Sequence, residues 1–169
     1  KKIVLAILLI ILLLMVYIWR SGFIERQMNP LEYEELIYKY SEKYGLDPYL
    51  VMAFIRTESS FRHDAVSPAG AKGLMQLTDA TARQGAEKLG IENFSPEMLF
   101  EPEINIHLGT WYLKWLLEQF DHNEEVAFAA YNAGIGKVRS WLSNKEYSRD
   151  GINLDYIPYE ETRNFVERV

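Results

Sequence analysis

Cysteine is absent from the 169 residues. That removes a disulfide framework, a thiolate zinc site, a cysteine nucleophile and a lipid-modified cysteine anchor from this chain. The redox compartment stays open on this ground. An excess of positive charge is also missing. The net charge is -6 and no basic stripe of the kind a phosphate backbone requires is visible, so no nucleic-acid partner is expected. Histidine is scarce: His63, His107 and His122 stand apart without ligand spacing. Surface or capping roles are expected for them, rather than a metal site or a Ser-His-acid arrangement. No segment alternates apolar and polar residues with period two, and no repeat or low-complexity tract occurs.

What is abundant is apolar and aromatic. Apolar residues make up 49% of the chain, and Phe, Trp and Tyr 14%, with eleven tyrosines leading. Such rings suit a core, and equally a groove that stacks on sugar faces and hydrogen-bonds their hydroxyls. Part of the apolar share lies in one block. Ile3 to Trp19 is an uncharged run rich in Leu and Ile, preceded by Lys1 and Lys2 and closed by Tyr17 and Trp19. As a helix it reaches about 26 Å, enough for a bilayer core with snorkelling flanks. It has no polar stripe, and no small-x-small cleavage site follows it. The two lysines favour a cytoplasmic N-terminus. Residues 1–20 are therefore expected to form a transmembrane signal anchor, residues 21–30 a linker, and residues 31–169 a domain outside the cytoplasm.

That domain reads as mainly α-helical from its punctuation. Leu31 to Tyr44 shows helical spacing and stops before Gly45. Asp47-Pro48 is a cap followed by proline at the first helical position, opening a helix that runs towards Glu58. Thr78 or Asp79 caps a helix ending at Gly90, and Ser95-Pro96 repeats the cap-and-proline signal for a short turn. Pro102 to Phe120, Glu124 to Ala133, Lys137 to Leu142 and Glu160 to Val169 complete the set.

Three pieces of this framework bear on chemistry. Glu58 lies between the apolar stretch Tyr49 to Ile55 and the polar run Ser59 to His63. A carboxylate there meets apolar walls and the negative end of a helix dipole, both of which disfavour its ionised form. A carboxyl that stays protonated near neutral pH can serve as a general acid. A solvated Glu at a helix end fits the same periodicity. The second piece is the Ser67–Leu77 segment, with Gly70 and Gly73 around Ala71 and Lys72. It lacks the Gly-Lys-Ser/Thr order of a phosphate loop, and it places Gln76 between Met75 and Leu77, where an amide needs a partner or a ligand. The third is Ala129 to Gly134, where Tyr131 and Asn132 stand beside a tight helix exit, as packing residues or as parts of a site.

Together and in order, Glu58-Ser-Ser-Phe61, Ser67-Pro-Ala-Gly-Ala-Lys-Gly-Leu-Met-Gln76, Asn105-Ile-His-Leu-Gly-Thr-Trp-Tyr-Leu113, Ala130-Tyr-Asn-Ala-Gly134 and Ile157-Pro-Tyr-Glu-Glu-Thr-Arg163 resemble the lytic transglycosylase family. That family is typified by the soluble lytic transglycosylases and is related to goose-type lysozyme. The resemblance runs from about Tyr33 to Val169. It implies a lysozyme-like helical domain with a substrate groove for peptidoglycan glycan strands of alternating N-acetylglucosamine and N-acetylmuramic acid. By position Glu58 is the catalytic acid, later the base. Ser67, Gln76 and Tyr131 line the groove with Asn132 supporting, and Glu161 matches a further groove or structural carboxylate. No metal or cofactor is implied. The chain departs from the family where Met-Pro commonly follows the Gln and its apolar neighbour: Thr78-Asp79 stands there, and one subsite is in doubt.

The resemblance implies non-hydrolytic cleavage to 1,6-anhydro-muramic ends by a single Glu. Two alternatives stay open. A hydrolytic muramidase would need a second carboxylate, such as Asp64 or Asp79, to activate water. A non-catalytic module would only bind peptidoglycan. Cell-wall or secretion-machinery proteins are candidate partners.

Overall fold

The computed structural model describes residues 33–169 together with Ile11 and Met15. The chain divides into two compact units, Lys1–Glu34 and Glu35–Val169. Among the described residues no helix is long and apolar enough to cross a membrane, and the expected anchor and linker lie outside those residues except at Ile11 and Met15. Every candidate site residue belongs to the second unit.

Seven α-helices are described, α1 (Glu34–Tyr44), α2 (Pro48–Ser59), α3 (Asp79–Leu89), α4 (Pro102–Gln119), α5 (Glu124–Ala133), α6 (Ile135–Leu142) and α7 (Glu160–Arg168), with a 3₁₀ turn at Pro96–Phe100 before α4. The caps are those the sequence signals. Asp47 accepts from the Tyr49 amide, Thr78 from the Thr81 amide and Asn123 from the Val126 amide, so each satisfies an otherwise orphaned helix donor. Gly90 closes α3 in the left-handed region at φ 69°. The helix expected at Lys137 starts two residues earlier, because Gly134 at φ 89° turns the chain directly from α5 into α6.

Helix α4 is the centre. Asn105, Ile106, Leu108, Gly109, Thr110, Tyr112, Leu113, Leu116 and Leu117 are all buried, so it is covered on most sides rather than along one stripe. It packs against α3, the 3₁₀ turn and α5; α5 in turn packs against α6 and α7, and α7 reaches α2. Val51, Phe54 and Ile55 of α2 are fully buried beside this stack, each stabilising it by about 1.5–3 kcal/mol through removal from water. His107, expected in a surface or capping role, is half-buried. It stacks on Tyr40 of α1 at 4.3 Å between ring centroids, and its Nε2 lies 3.0 Å from the Lys43 ammonium. Burial, then the charges of Lys43 and Lys39, depress its pKa to about 4; it is a neutral packing ring at pH 7.

The segment between α2 and α3 carries no named strand, only two isolated antiparallel bridges, Val66 to Lys72 and Lys72 to Leu77. Asn105 holds it down. The side chain accepts from the Met75 amide at 2.8 Å and donates to the carbonyls of Lys72 at 2.9 Å and Leu99 at 2.8 Å. Gly73 is needed for this approach. Its φ is +76°, and a Cβ there would overlap the Asn105 amide and the Leu99 carbonyl. Between α6 and α7 the chain is irregular but tied. Asp150 accepts from the amides of Ile152 and Asn153, and the Asn153 side chain accepts from Asn123 at 2.8 Å.

Replacing Asn105 by Leu leaves the Met75 amide and the Leu99 carbonyl unpaired in the interior, each costing about 1–3 kcal/mol, while the Lys72 carbonyl keeps its bond from the Leu77 amide. Urea unfolding of Asn105→Leu should show a loss of at least about 2 kcal/mol; a loss below about 0.5 kcal/mol would mean that the loop does not depend on this side chain.

Candidate active site

Glu58 stands in the last turn of α2, and the backbone stops the helix just beyond it. Ser60 and Phe61 both adopt left-handed conformations, φ 53° and 61°, at a cost of roughly 1–2 kcal/mol each. Such non-glycine residues gather where structure over-determines the backbone, often at functional sites. The Ser60 amide still bonds the Arg56 carbonyl. The carboxyl is thereby fixed at a helix end whose neighbouring turn, through Phe54, is packed in aromatic rings. Phe54 meets Phe128 at 5.1 Å and Tyr131 at 4.9 Å, both from α5, and Phe165 of α7 at 5.5 Å.

This setting moves Glu58 far from an ordinary carboxyl. Burial raises its pKa from 4.5 to about 8; the Arg168 charge opposes that rise and the Glu161 charge adds to it. The apolar surroundings foreseen in the sequence thus outweigh the nearby cation. Near neutral pH Glu58 is mostly protonated and able to donate.

The other candidate residues join Glu58 through a chain of contacts. Tyr131 interacts electrostatically with Glu58, and burial keeps its phenol well above the usual range, so it remains a donor. That donor goes to the Met75 carbonyl at 2.9 Å, next to Gln76. Gln76, at φ 46°, directs its amide nitrogen to the carbonyls of Ala65 at 3.1 Å and Gly73 at 2.9 Å. Two carbonyl partners fix which end of the amide is nitrogen, and they leave its oxygen as the acceptor for a ligand. Ser67 has a more local part. Its hydroxyl accepts from the Ala71 amide at 3.0 Å, closing the turn, and it meets the other residues through the loop backbone. Asn132 accepts from the Thr162 hydroxyl at 2.7 Å. It fastens α5 to the start of α7, beside the exposed Glu161.

Neither aspartate considered for hydrolysis acts on Glu58, whose electrostatic neighbours are Arg168, Glu161 and Tyr131. Asp79 begins α3 and is ion-paired with Lys72, and Thr78 is the cap. Asp64 is exposed. Among carboxylates, Glu161 is the one whose charge helps to raise the proton affinity of Glu58. Two contributors escaped the sequence reading. Asn105 signalled itself as an amide on an otherwise apolar helix face; Arg168 gave no signal, because nothing in one dimension places the end of α7 near the end of α2. Among the described residues no group of three His, Asp or Glu side chains is placed to hold a metal.

The raised pKa has a cost with a definite sign. Between pH 4.5 and about 8 folded Glu58 keeps a proton that the unfolded chain has lost, so stability from this group falls as pH rises through that window. Glu58→Gln cannot ionise. Thermal melts should superimpose with the parent near pH 4 and show the variant more stable at pH 9; equal melting at pH 9 would mean that the carboxylate is well solvated.

Comparison with known proteins shows the family of this domain. The family model of the transglycosylase SLT domain matches residues 35–153. The soluble lytic murein transglycosylase of Salmonella typhimurium is 39% identical over 142 residues, covering 83% of this chain and 22% of that protein. Membrane-bound lytic murein transglycosylase C of Mannheimia succiniciproducens is 36% identical over 137 residues, covering 72% of this chain and 37% of the relative. Among solved structures, an inactive glutamate-to-glutamine mutant of lytic transglycosylase Slt from Pseudomonas aeruginosa superposes with a TM-score of 0.71 at 36% identity, over 82% of this chain and 23% of the other. The 70 kDa soluble lytic transglycosylase of Escherichia coli gives 0.70 at 36% identity, over the same shares. The chain thus spans about a fifth of the length of the soluble relatives. A family model matched over 119 of the 169 residues, with relatives in agreement, places the chain in the transglycosylase SLT domain family.

Proposed function

We propose that residues 31–169 form a lytic transglycosylase domain that cuts the β-1,4 bond between N-acetylmuramic acid and N-acetylglucosamine in peptidoglycan, with Glu58 as acid and then base. The observation that carries this reading is a single carboxyl held protonated up to about pH 8 by burial. Glu58 gives its proton to the glycosidic oxygen as the bond to muramic-acid C1 breaks and positive charge develops there. The substrate's 2-acetamido group stabilises that centre. Glu58, now ionised, takes the proton of the same sugar's C6 hydroxyl while its oxygen bonds to C1, closing a 1,6-anhydro ring. The proton balance is zero and no water is consumed. The Gln76 amide oxygen, the loop around Ser67 and the Tyr131 ring are the proposed substrate contacts, with Asn132 holding α7 and Glu161 at the rim.

Residues 1–20 are proposed to anchor this domain on the extracytoplasmic side of a bacterial membrane, through the linker at 21–30. The support is the apolar run with its paired lysines, and a relative that is itself named membrane-bound. Cell-wall or secretion-machinery proteins are proposed partners on the same footing.

One observation favours a second reading, hydrolysis: the carboxylate of Glu161 acts on Glu58. In that case Glu161, rather than Asp64 or Asp79, would be the group to activate water.

The test is digestion of purified peptidoglycan by the full chain and by Glu58→Gln, read by mass spectrometry. Muropeptides one water lighter than reducing-end products are expected, with the variant slower by about 10⁴ or more because both proton transfers use one group. Reducing ends would establish the hydrolase, and a fully active Glu58→Gln would overturn the assignment of the acid. The rate should also fall on raising pH through about 8, as the donating form is lost.

A further inference from the structure

Three aromatic rings of α4 are grouped on one side of the helix. Trp115 stacks with Tyr112 at 5.8 Å between centroids and 18° between planes, and with Trp111 at 6.4 Å and 19°. Trp111 and Tyr112 are themselves 6.5 Å apart. The three centroids thus form a nearly equilateral triangle, so both neighbours lie to the same side of Trp115 and neither covers its other side. Tyr112 also meets Tyr131 of the candidate site at 5.3 Å, and a row of rings therefore leads from Tyr131 to Trp115. Cover differs along it. Tyr112 is buried, and Trp111 packs on α3, where a side chain at Gly85 would strike it. Trp115 is half-buried. Among the described residues only Ser41 and Tyr44 bury a side-chain polar atom without a partner, so the Trp115 indole N–H, which donates to no protein group, reaches solvent.

Helix α3 shows what lies at that end of the row. Gly85 faces Leu108 and Trp111, and Thr81, one turn earlier, interacts with Tyr112. The two helices run antiparallel here, and the start of α3 falls towards Trp115. That start is the exposed Thr78, whose hydroxyl donates to Thr81 Oγ1 at 3.0 Å and accepts from the Thr81 amide at 3.3 Å. Thr78 follows Gln76 and Leu77 directly, so the loop that carries Gln76 ends on the same side. The Thr78-Asp79 departure thereby has a place: a short side chain, tied back onto its own helix, stands where the row of rings is open.

Resting on the reading of this domain as one that cuts glycan strands, we propose that Trp115 is the floor of a further sugar subsite, where an N-acetylhexosamine ring lies on the indole and one of its oxygens accepts the indole N–H. A pyranose presents an apolar C–H face and a rim of oxygens, and a half-exposed indole with an unused donor matches both. The contact lies away from the bond that breaks, so it supplies affinity and register along the strand rather than proton transfer. Trp115 also stands outside the segments that carry the family resemblance, which stop at Leu113 and resume at Ala130, so that resemblance does not imply this contact.

A half-exposed Trp at the edge of two packed helices also has a purely structural use, and the test must separate the two. The full chain carrying Glu58→Gln would be titrated with the N-acetylglucosamine tetramer by calorimetry, alone and with Trp115→Leu or Trp115→Phe added. Leu keeps apolar volume against α4 but removes the ring, and should weaken the tetramer about tenfold, the scale of one stacked ring. Phe keeps a ring without the N–H and should lose less than Leu. In parallel, ¹⁵N NMR would follow the tryptophan indole signals of Glu58→Gln itself, a readout that stands even where a Trp115 variant fails to fold. The Trp115 N–H signal should move with added tetramer, while that of Trp141, buried against Tyr159, stays. Unchanged affinity in Trp115→Leu, or a Trp115 signal that the tetramer leaves in place, would overturn the subsite and leave Trp115 as a packing residue. Tetramer binding that depends on Trp115, in a chain whose parent releases no muropeptides, would uphold the subsite and overturn the reading of the domain as a glycan-cutting enzyme, so the two fail separately.

Discussion

The site hangs on one buried amide. Asn105 uses both ends of its side chain to hold the loop between α2 and α3 against α4. That loop supplies the Met75 carbonyl taken by Tyr131 and the backbone that orients Gln76. The bonds from Asn105 to Met75 and Lys72 join segments about thirty residues apart, so the loop has its shape only once α4 is in place. Gly73 and Gly109 are the matching concessions. A side chain at Gly73 would strike the amide itself, and one at Gly109 would strike Met75. A polar clamp in an apolar interior is stable only when fully satisfied, and this one makes three bonds in nearly ideal range.

Around that clamp the fold sets apolar burial against charge and lets burial win at Glu58. The rings of Phe54, Phe128, Tyr131 and Phe165 fill the space behind the last turn of α2. The stabilisation they supply comes with a penalty on ionising the carboxyl next to them. Stability and proton affinity are here two readings of one packing arrangement, and a change that loosens the rings alters both.

Much of this could be read in one dimension. Caps and prolines gave the starts of α2, α3 and α5, because a helix terminus is decided by a few adjacent residues. The apolar stretch before Glu58 gave its raised pKa, because burial of a helix face follows from local spacing. What could not be read depends on approach in space. Nothing local to His107 announces the stacking partner that α1 supplies in Tyr40. Gln76 needed a partner or a ligand, and only the folded loop shows that its nitrogen has the Ala65 and Gly73 carbonyls as partners. That the carboxylate acting on the charge of Glu58 is Glu161 rather than Asp64 or Asp79 follows from the meeting of α7 with α2, which joins residues about a hundred positions apart.

That meeting also orders events in time. Until α7 docks through Phe165, the turn that ends in Glu58 lacks part of its cover, and a carboxyl in that state behaves more like any other in water. The property the chemistry needs therefore arrives with the last helix rather than with the residue that carries it. The proton affinity of Glu58 is in this sense a property of two joined helices, and it depends on residues 58 and 165 meeting across all the chain that separates them.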